Sequence, residues 1–154
     1  MDKRELAIIA SLRQNCRKSL TDMSKETNIP VSTLHEKIHS YSKGLIRKHT
    51  ALVDFGRLGY NTRAKVMLKV DKTERQKLQN FLNISKHVNT LLKVNNGFDF
   101  MAEMIFEHIK DMEDFLETIE HKFKITNKET FYIIDELKRE AFLASPSLVT
   151  LNAV

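Results

Sequence analysis

The apolar positions of the first 45 residues recur at intervals of three and four, which predicts three short amphipathic helices. The first spans about residues 3–12, where Asp2 and Glu5 have the spacing of a capping box. Ser19 is placed to cap the second helix. The buried stripes of these two helices are expected to be Leu6, Ile9, Leu12, Leu20 and Met23. Three helices of this length are enough to enclose one small core.

The third helix follows the turn Asn28-Ile29-Pro30 and runs to about Ser42, because Pro30 disfavours helix at the residue before it. Gly44 is the predicted C-terminal cap. One side of this helix is apolar, with Val31, Leu34, Ile38 and Tyr41. The opposite side carries hydrogen-bonding groups of a size that fits a DNA major groove, namely Ser32, Thr33, His35, Lys37 and His39. The pattern predicts a helix-turn-helix.

Residues 45–53 mix β-branched and basic side chains, which predicts a strand or wing beside the three helices. The net charge of +5 lies entirely in the first part of the chain: residues 1–62 hold 11 Lys and Arg against 6 Asp and Glu, and residues 63–154 hold 14 of each. The cations expected to meet DNA phosphates are Arg17, Lys18, Arg47 and Lys48. This asymmetry favours a polyanion-binding unit joined to a neutral one.

Beyond residue 62 the apolar period alternates between two and 3.6. Strands are predicted at 65–70, 88–94, 98–106 and 130–134, with helices at 73–82 and around the stripe Ile109, Met112, Leu116, Ile119 and Phe123. Within the first three strands, the residues that share one face are Val66, Leu68 and Val70, then Val88, Thr90, Leu92 and Val94, and then Phe100, Ala102, Met104 and Phe106. The segment Asn95-Asn96-Gly97 has the composition of a hairpin turn. The order βαββαβ predicts a ferredoxin-like domain.

Two helices would cover one face of this sheet and leave the other face half apolar. That second face is expected to carry Lys65, Met67, Lys69, Met101, Glu103 and Ile105. An exposed face of this kind predicts burial against a second copy and hence a homodimer. A charged, solvated sheet face is the alternative.

A competing motif lies in the third helix, where His35-Glu36-Lys37-Ile38-His39 matches the H-E-x-x-H pattern of zinc peptidases. A catalytic zinc also needs a third protein ligand, and no second motif supplies one. Lys37 would place an unfavourable cation beside the metal. We therefore expect no metal, no cofactor and no catalytic residues, with a zinc-dependent peptidase as a remote alternative.

The single cysteine, Cys16, excludes an internal disulfide framework. No apolar run approaches the about 20 residues of a membrane span. The N-terminal segment lacks the apolar core of a secretory signal. These features predict a cytoplasmic protein with no membrane partner.

Taken together, the two halves resemble the Lrp/AsnC, or feast/famine, transcription regulators of bacteria and archaea. The resemblance covers about residues 2–134 and rests on IPVSTLHEKI, GLIRKHTALVDFGRLGY and NNGFDF. It implies an α+β protein: a winged helix-turn-helix at 1–55, a linker at 56–62 and a ferredoxin-like sensing and dimerisation domain at 63–136. A tail at 137–154 follows, apolar at Phe142, Leu143, Leu148, Val149 and Leu151, and it either packs on a partner or continues as a short helix.

The resemblance further implies a homodimer, or a tetramer or octamer built from it, that binds double-stranded DNA. It also implies a small effector, commonly an amino acid, bound between subunits. The effector residues implied are Asn96, Gly97, Phe98 and Asp99, of which Gly97 and Asp99 match the family's glycine-x-aspartate positions. The alternative keeps the fold and drops the DNA, leaving an amino-acid-binding or assembly module that acts through protein contacts.

Overall fold

The computed structural model describes residues 2–145, which contain five α-helices and four β-strands. The helices are α1 (Lys3–Gln14), α2 (Leu20–Thr27), α3 (Val31–Tyr41), α4 (Arg75–Ile84) and α5 (Ile109–Lys122). The strands are β1 (Thr62–Val70), β2 (Val88–Lys93), β3 (Phe100–Phe106) and β4 (Ile125–Tyr132). These elements form two compact units, one of residues 2–52 with 137–145 and one of residues 53–136. Within residues 2–145, no helix combines the length and apolarity needed to cross a bilayer.

The first unit is a bundle of three helices around a small core. The buried residues of this core are Ile8, Met23, Ile29, Leu34 and Tyr41, and Ala10 of α1 is also buried. The predicted caps are confirmed: the Asp2 carboxylate accepts the Glu5 amide at 2.7 Å, and the Ser19 hydroxyl accepts the Asp22 amide at 3.1 Å. These bonds satisfy amides that the first turn of a helix otherwise leaves without a partner.

The predicted stripe on α1 was rotated from the observed one. Ile8 is fully buried, while Ile9 and Leu12 are half-buried at the edge of the core. The core-facing side of α1 also includes Ser11, whose buried hydroxyl donates to Glu26 of α2 at 2.8 Å. A satisfied serine can thus lie where an apolar residue was expected. On α3, Val31 is 42% exposed and does not belong to the buried stripe.

The turn between α2 and α3 depends on two residues. Asn28 ends α2 in the left-handed conformation with φ +55°, which asparagine tolerates better than most residues. Pro30 then stands at the N-cap of α3. The prediction that Gly44 caps α3 was wrong, since the helix ends at Tyr41 and Ser42 is its C-cap. The Ser42 hydroxyl donates to the carbonyl of Ile38 at 3.0 Å and satisfies that end of the helix.

The strand predicted at residues 45–53 is also wrong, because this segment has no regular structure. A strand requires a neighbouring strand for its backbone hydrogen bonds, and the described residues provide none here. Only Ile46 is partly buried in this segment, and its amide donates to the carbonyl of Tyr41 at 2.8 Å. The described part of the first unit therefore has a helix-turn-helix without a β-wing.

The second unit confirms the ferredoxin-like prediction. Its antiparallel sheet has the order β2-β3-β1-β4, and β1 pairs with β3 from Thr62 opposite Phe106 to Leu68 opposite Phe100. Helices α4 and α5 supply Leu78, Leu82, Met112, Leu116 and Ile119 to the core that they share with the sheet. The predicted core residues of β1 and β3 are Val66, Leu68, Val70, Phe100, Ala102, Met104 and Phe106, and all are buried.

Three predictions in this unit need correction. The register of β2 shifts between Val88 and Thr90, so Leu91 rather than Leu92 packs against the core. A bulge of this kind reverses the face of every later side chain, which a pattern of period two cannot reveal. Ile109 lies in the first turn of α5 and is 59% exposed. The last strand begins at Ile125, five residues before its predicted start.

The described part of the tail, residues 137–145, belongs to the first unit and contains no helix. Arg13 of α1 holds it: its Nε donates to the carbonyl of Phe142 at 2.6 Å, and its Nη2 lies 2.9 Å from Glu140 Oε2. Leu148, Val149 and Leu151, which were expected to be part of an apolar tail, lie outside the described residues.

Candidate nucleic-acid interface

The outer side of α3 is open to solvent. Ser32, Thr33, His35 and His39 are all exposed, and none of these side chains bonds to another residue of the described chain. Leu34 and Tyr41 are buried on the opposite side, and the half-buried Ile38 packs beside them. A helix with one side anchored and the other free has the geometry needed to enter a groove of DNA.

The start of α3 adds backbone donors to this surface. Pro30 provides no side-chain hydrogen bond at the N-cap. The amides of Val31, Ser32 and Thr33 in the first turn consequently have no capping acceptor within residues 2–145. Uncapped amides and the positive end of the helix dipole both favour an anion. These donors lie at the same end of α3 as the Ser32 and Thr33 hydroxyls.

Lys37 differs from its neighbours, because it is held by α1. Its Nζ lies 2.7 Å from Glu5 Oε1, and 43% of its side chain is exposed. The hydrogen bond from Lys37 lowers the pKa of Glu5, and the same bond raises the pKa of Lys37. Glu5 therefore has two tasks, as the capping-box acid of α1 and as the partner of a lysine on α3.

The four basic residues outside α3 fall into two groups. Lys18 pairs with Glu26 at 2.7 Å, and this hydrogen bond, followed by that of Ser11, lowers the pKa of Glu26. Lys18 is thus engaged within the bundle. Arg17, Arg47 and Lys48 are exposed, and their side chains form no ion pair within residues 2–145.

His35 and His39 leave the zinc-peptidase motif with two histidines on an exposed helix surface. Among residues 2–145, no group of three or more His, Cys, Asp or Glu side chains is arranged to hold a metal ion. A third protein ligand for the H-E-x-x-H pattern therefore does not come from this part of the chain.

The predicted effector residues divide between the surface and the interior. Asn96 and Gly97 form the hairpin turn with φ +59° and +91°. A Cβ on Gly97 would meet no atom within 4 Å, so the backbone conformation rather than a lack of space favours glycine. Asp99 is only 6% exposed, and it accepts the Val70 amide at 3.1 Å and pairs with Arg75 at 2.7 Å. In this structure Asp99 anchors the hairpin to β1 and α4.

A polar network crosses the sheet face that α4 and α5 leave uncovered. Glu103 is buried on this face and accepts hydrogen bonds from Arg63, Asn89 and Thr90. Arg63 also pairs with Glu136. Burial raises the pKa of Glu103, but the bonds from Asn89 and Arg63 outweigh it, and the net pKa is lowered. Around this network the face carries Met67, Leu92, Met101, Ile105 and Phe131.

Comparison with known proteins places these features in context. No family model matches the chain. The HTH-type transcriptional regulator FL11 of Pyrococcus abyssi is 26% identical over 120 residues, which is 77% of this chain and 80% of FL11. An uncharacterized HTH-type transcriptional regulator of Pyrococcus furiosus is 22% identical over 147 residues, covering 95% of this chain and 99% of that protein.

Solved structures are similar to this chain in fold. LrpC of Bacillus subtilis superposes with a TM-score of 0.81 at 19% identity, over 90% of this chain and 97% of LrpC. AsnC of Escherichia coli superposes with a TM-score of 0.80 at 15% identity, over 90% of this chain and 95% of AsnC. The resemblance to the Lrp/AsnC family is confirmed. The transcriptional regulator NMB0573 of Neisseria meningitidis, solved in complex with L-Met, is also similar in fold, with a TM-score of 0.82 at 15% identity over 90% of this chain and 93% of NMB0573.

Sequence reasoning missed the partners of several charged residues. Glu5 pairs with Lys37, Glu26 with Lys18, and Arg75 with Asp99, and each pair joins residues from different parts of the fold. In the sequence, each of these residues is visible only as a charged position next to an apolar stripe, and that position does not show which residue it pairs with. Glu103 was placed on the open face, but its burial depends on donors from two neighbouring strands.

We predict that Glu103→Gln lowers the free energy of unfolding by about 1–3 kcal/mol at neutral pH, because it removes a buried charged acceptor from Arg63. The folded-state pKa of Glu103 is lowered, so its contribution is fully present above the unfolded pKa and is lost as the pH falls through the folded pKa. The difference between the two proteins should therefore shrink in acid, as measured by urea unfolding at several pH values.

The matched control is Glu117→Gln, which removes an exposed carboxylate of α5, away from this sheet face. We expect its stability to follow that of the wild type. Equal effects of the two substitutions would contradict the role given to Glu103.

Proposed function

We propose that this protein is a sequence-specific DNA-binding transcription regulator whose helix α3 enters the major groove. The observation that carries this proposal is the outward presentation of Ser32, Thr33, His35 and His39 on a helix whose other side is buried. Its relatives, named HTH-type transcriptional regulators, support the same function. Hydroxyl and imidazole groups can donate to and accept from base edges in the major groove.

Phosphate contacts would come from the exposed cations and from the start of α3. Arg17, Arg47 and Lys48 are free to approach the backbone of a duplex. The uncapped first turn of α3 offers amides to a phosphate oxygen. Lys18 and Lys37 would first have to give up Glu26 and Glu5, so we assign them a smaller share of the affinity.

We predict that His35→Ala reduces the preference for a cognate duplex by about tenfold, since a base contact contributes about 1–3 kcal/mol of discrimination. The duplex is first selected from a random library with the purified protein, and binding is then measured by fluorescence anisotropy against a scrambled duplex.

Arg47→Gln should instead weaken binding to both duplexes and reduce the slope of log K against log salt by about 1.

Lys110→Gln is the control, because Lys110 is an exposed lysine of α5 in the second unit. Its affinity and salt slope should match those of the wild type. If selection enriches no sequence and duplex binding shows no salt dependence, the protein does not act on DNA and the non-DNA alternative takes its place.

We further propose that the hairpin of residues 95–99 binds an amino acid or a related small effector where subunits meet. Asn96 and Gly97 project at the exposed turn, and Phe98 lies half-buried behind them. Asp99 would position the turn, because its carboxylate accepts the Val70 amide and pairs with Lys69 and Arg75. The L-Met complex of the structurally similar NMB0573 supports an amino acid as the ligand class.

A thermal-shift screen of the twenty amino acids tests this proposal. A specific ligand at 100 times its Kd stabilises the folded state by about 2.7 kcal/mol, which raises the melting temperature.

We predict that Asn96→Gly abolishes most of that rise in melting temperature, since glycine retains the left-handed turn but removes the amide side chain. Asn83→Ala, on the exposed end of α4, should keep the full shift. A panel without any shift would refute amino-acid binding.

We also propose that a second copy of the chain covers the uncovered sheet face. Phe131 is 54% exposed there, and Leu92, Met67 and Met101 extend the apolar area. The Arg63–Glu103 network lies on the same face and already pairs its own charges, so covering it would leave no charge of the network without a partner.

We predict that Phe131→Glu weakens self-association by at least about tenfold, because it would bury an unpaired carboxylate at the interface. Light scattering after gel filtration over a range of concentrations measures the change in mass. Ile84→Glu, at an exposed position of α4, should leave the mass unchanged. A wild-type protein that is monomeric at all concentrations would rule out this interface.

A further inference from the structure

A cleft of about 810 Å³ opens in the second unit at the end of the sheet where β1 begins and β3 ends. Its volume is in the range of small-molecule binding sites. The lining comes from residues 55–60, from residues 86–89 and 105–107, and from the first turns of α5. All of it lies within residues 53–136, so the cleft is complete in one unit.

The floor of the cleft is aromatic and ordered. The His87 ring stacks on Phe106 with 4.2 Å between centroids and an angle of 8° between the planes. Its Nδ1 lies 3.3 Å from the carbonyl oxygen of Ile105, which fixes the orientation of the ring. Phe115 packs against Phe106 at 5.5 Å, and Phe55 and Tyr60 add two further rings. Faces of this kind accommodate an apolar body and also attract a cation.

The charges of the cleft are unbalanced. Glu107, Asp111 and Asp114 supply three carboxylates, and Lys86 is the lysine among the lining residues. The side chains of these four residues make no hydrogen bond or ion pair with the described chain. The buried carboxylates of this unit, Asp99 and Glu103, are by contrast fully engaged. A cationic group in the cleft would gain charge-assisted hydrogen bonds that the protein itself does not provide.

From this combination we infer that the cleft binds a small primary amine carried on an apolar or aromatic body. The ammonium group contacts Asp111 and Asp114, and the body packs on the accessible parts of the Phe55, Tyr60 and Phe115 rings. This site is distinct from the hairpin of residues 95–99. The two lie at opposite ends of the paired strands, six residues apart along β3, which corresponds to about 20 Å.

The inference does not depend on DNA binding. It does bear on the segment that precedes β1, since Phe55, Leu58 and Tyr60 form one wall of the cleft. A bound amine would add contacts to this stretch, which otherwise has only a single 3₁₀ turn at Gly56–Leu58.

The test uses 2-phenylethylamine as the probe and 3-phenylpropanoate, which has the same body and the opposite charge, as its counterpart. Calorimetry on the full chain should detect saturable binding of the amine and none of the acid. Asp111→Asn and Asp114→Asn should each weaken the amine by about tenfold, because each removes one charged acceptor. Glu117→Gln removes one exposed carboxylate from the same helix outside the cleft and should leave the affinity unchanged.

Amide chemical shifts then locate the probe. Perturbations at residues 86–89 and 105–115 support the proposal, whereas perturbations centred on residues 95–99 overturn it. Equal binding of the amine and the acid, or an affinity that neither aspartate variant changes, also overturns it. Far-ultraviolet circular dichroism of each variant confirms that the fold is intact. A failed DNA or amino-acid experiment would leave this result standing, because the cleft residues differ from those of both other sites.

Discussion

One-sided burial of α3 is the constraint on which the proposed DNA-binding surface depends. Leu34 and Tyr41 enter the core of the first unit with Ile38 at its edge, and this fixes the rotation of the helix about its axis. Burial of each large side chain contributes about 1.5–3 kcal/mol, so a rotated helix would lose several such terms together. The ion pair between Lys37 and Glu5 adds a polar restraint on the same rotation. The polar residues of α3 face solvent because burial of its apolar residues fixes the opposite side of the helix against the core.

Internal ion pairs decide which cations of the first unit are available to a polyanion. The first 62 residues carry an excess of five positive charges by count. Lys18 and Lys37 each form an ion pair with a glutamate of the bundle, and Arg13 forms one with Glu140 of the tail. Of the four cations predicted to meet phosphate outside α3, Arg17, Arg47 and Lys48 keep their charge unpaired within the described residues, and the uncapped start of α3 adds backbone donors. Affinity for DNA therefore depends on position more than on net charge.

Periodicity predicted the helices, the strand order and most of the core, because burial of an amphipathic stripe is a local property of sequence. It failed where a tertiary partner decides. Residues 45–53 had the composition of a strand but no neighbour to pair with. The bulge between Val88 and Thr90 exchanged the faces of Leu91 and Leu92. The surface of α3 was predictable residue by residue, whereas the pairing of Lys37 with Glu5, 32 positions away, required the folded bundle.

In the second unit, β3 connects the two places where a small molecule would act. Its start follows the hairpin that Asp99 anchors to Val70 and Arg75, and its end supplies Phe106 to the floor of the cleft. Between them, Ala102 and Met104 are fully buried against β1 and the two helices. A close-packed protein core does not absorb a displacement at one end by compressing. The two proposed ligand sites therefore lie about 20 Å apart at the ends of one buried strand, and a shift of β3 at either site would have to be accommodated by the core packed along it.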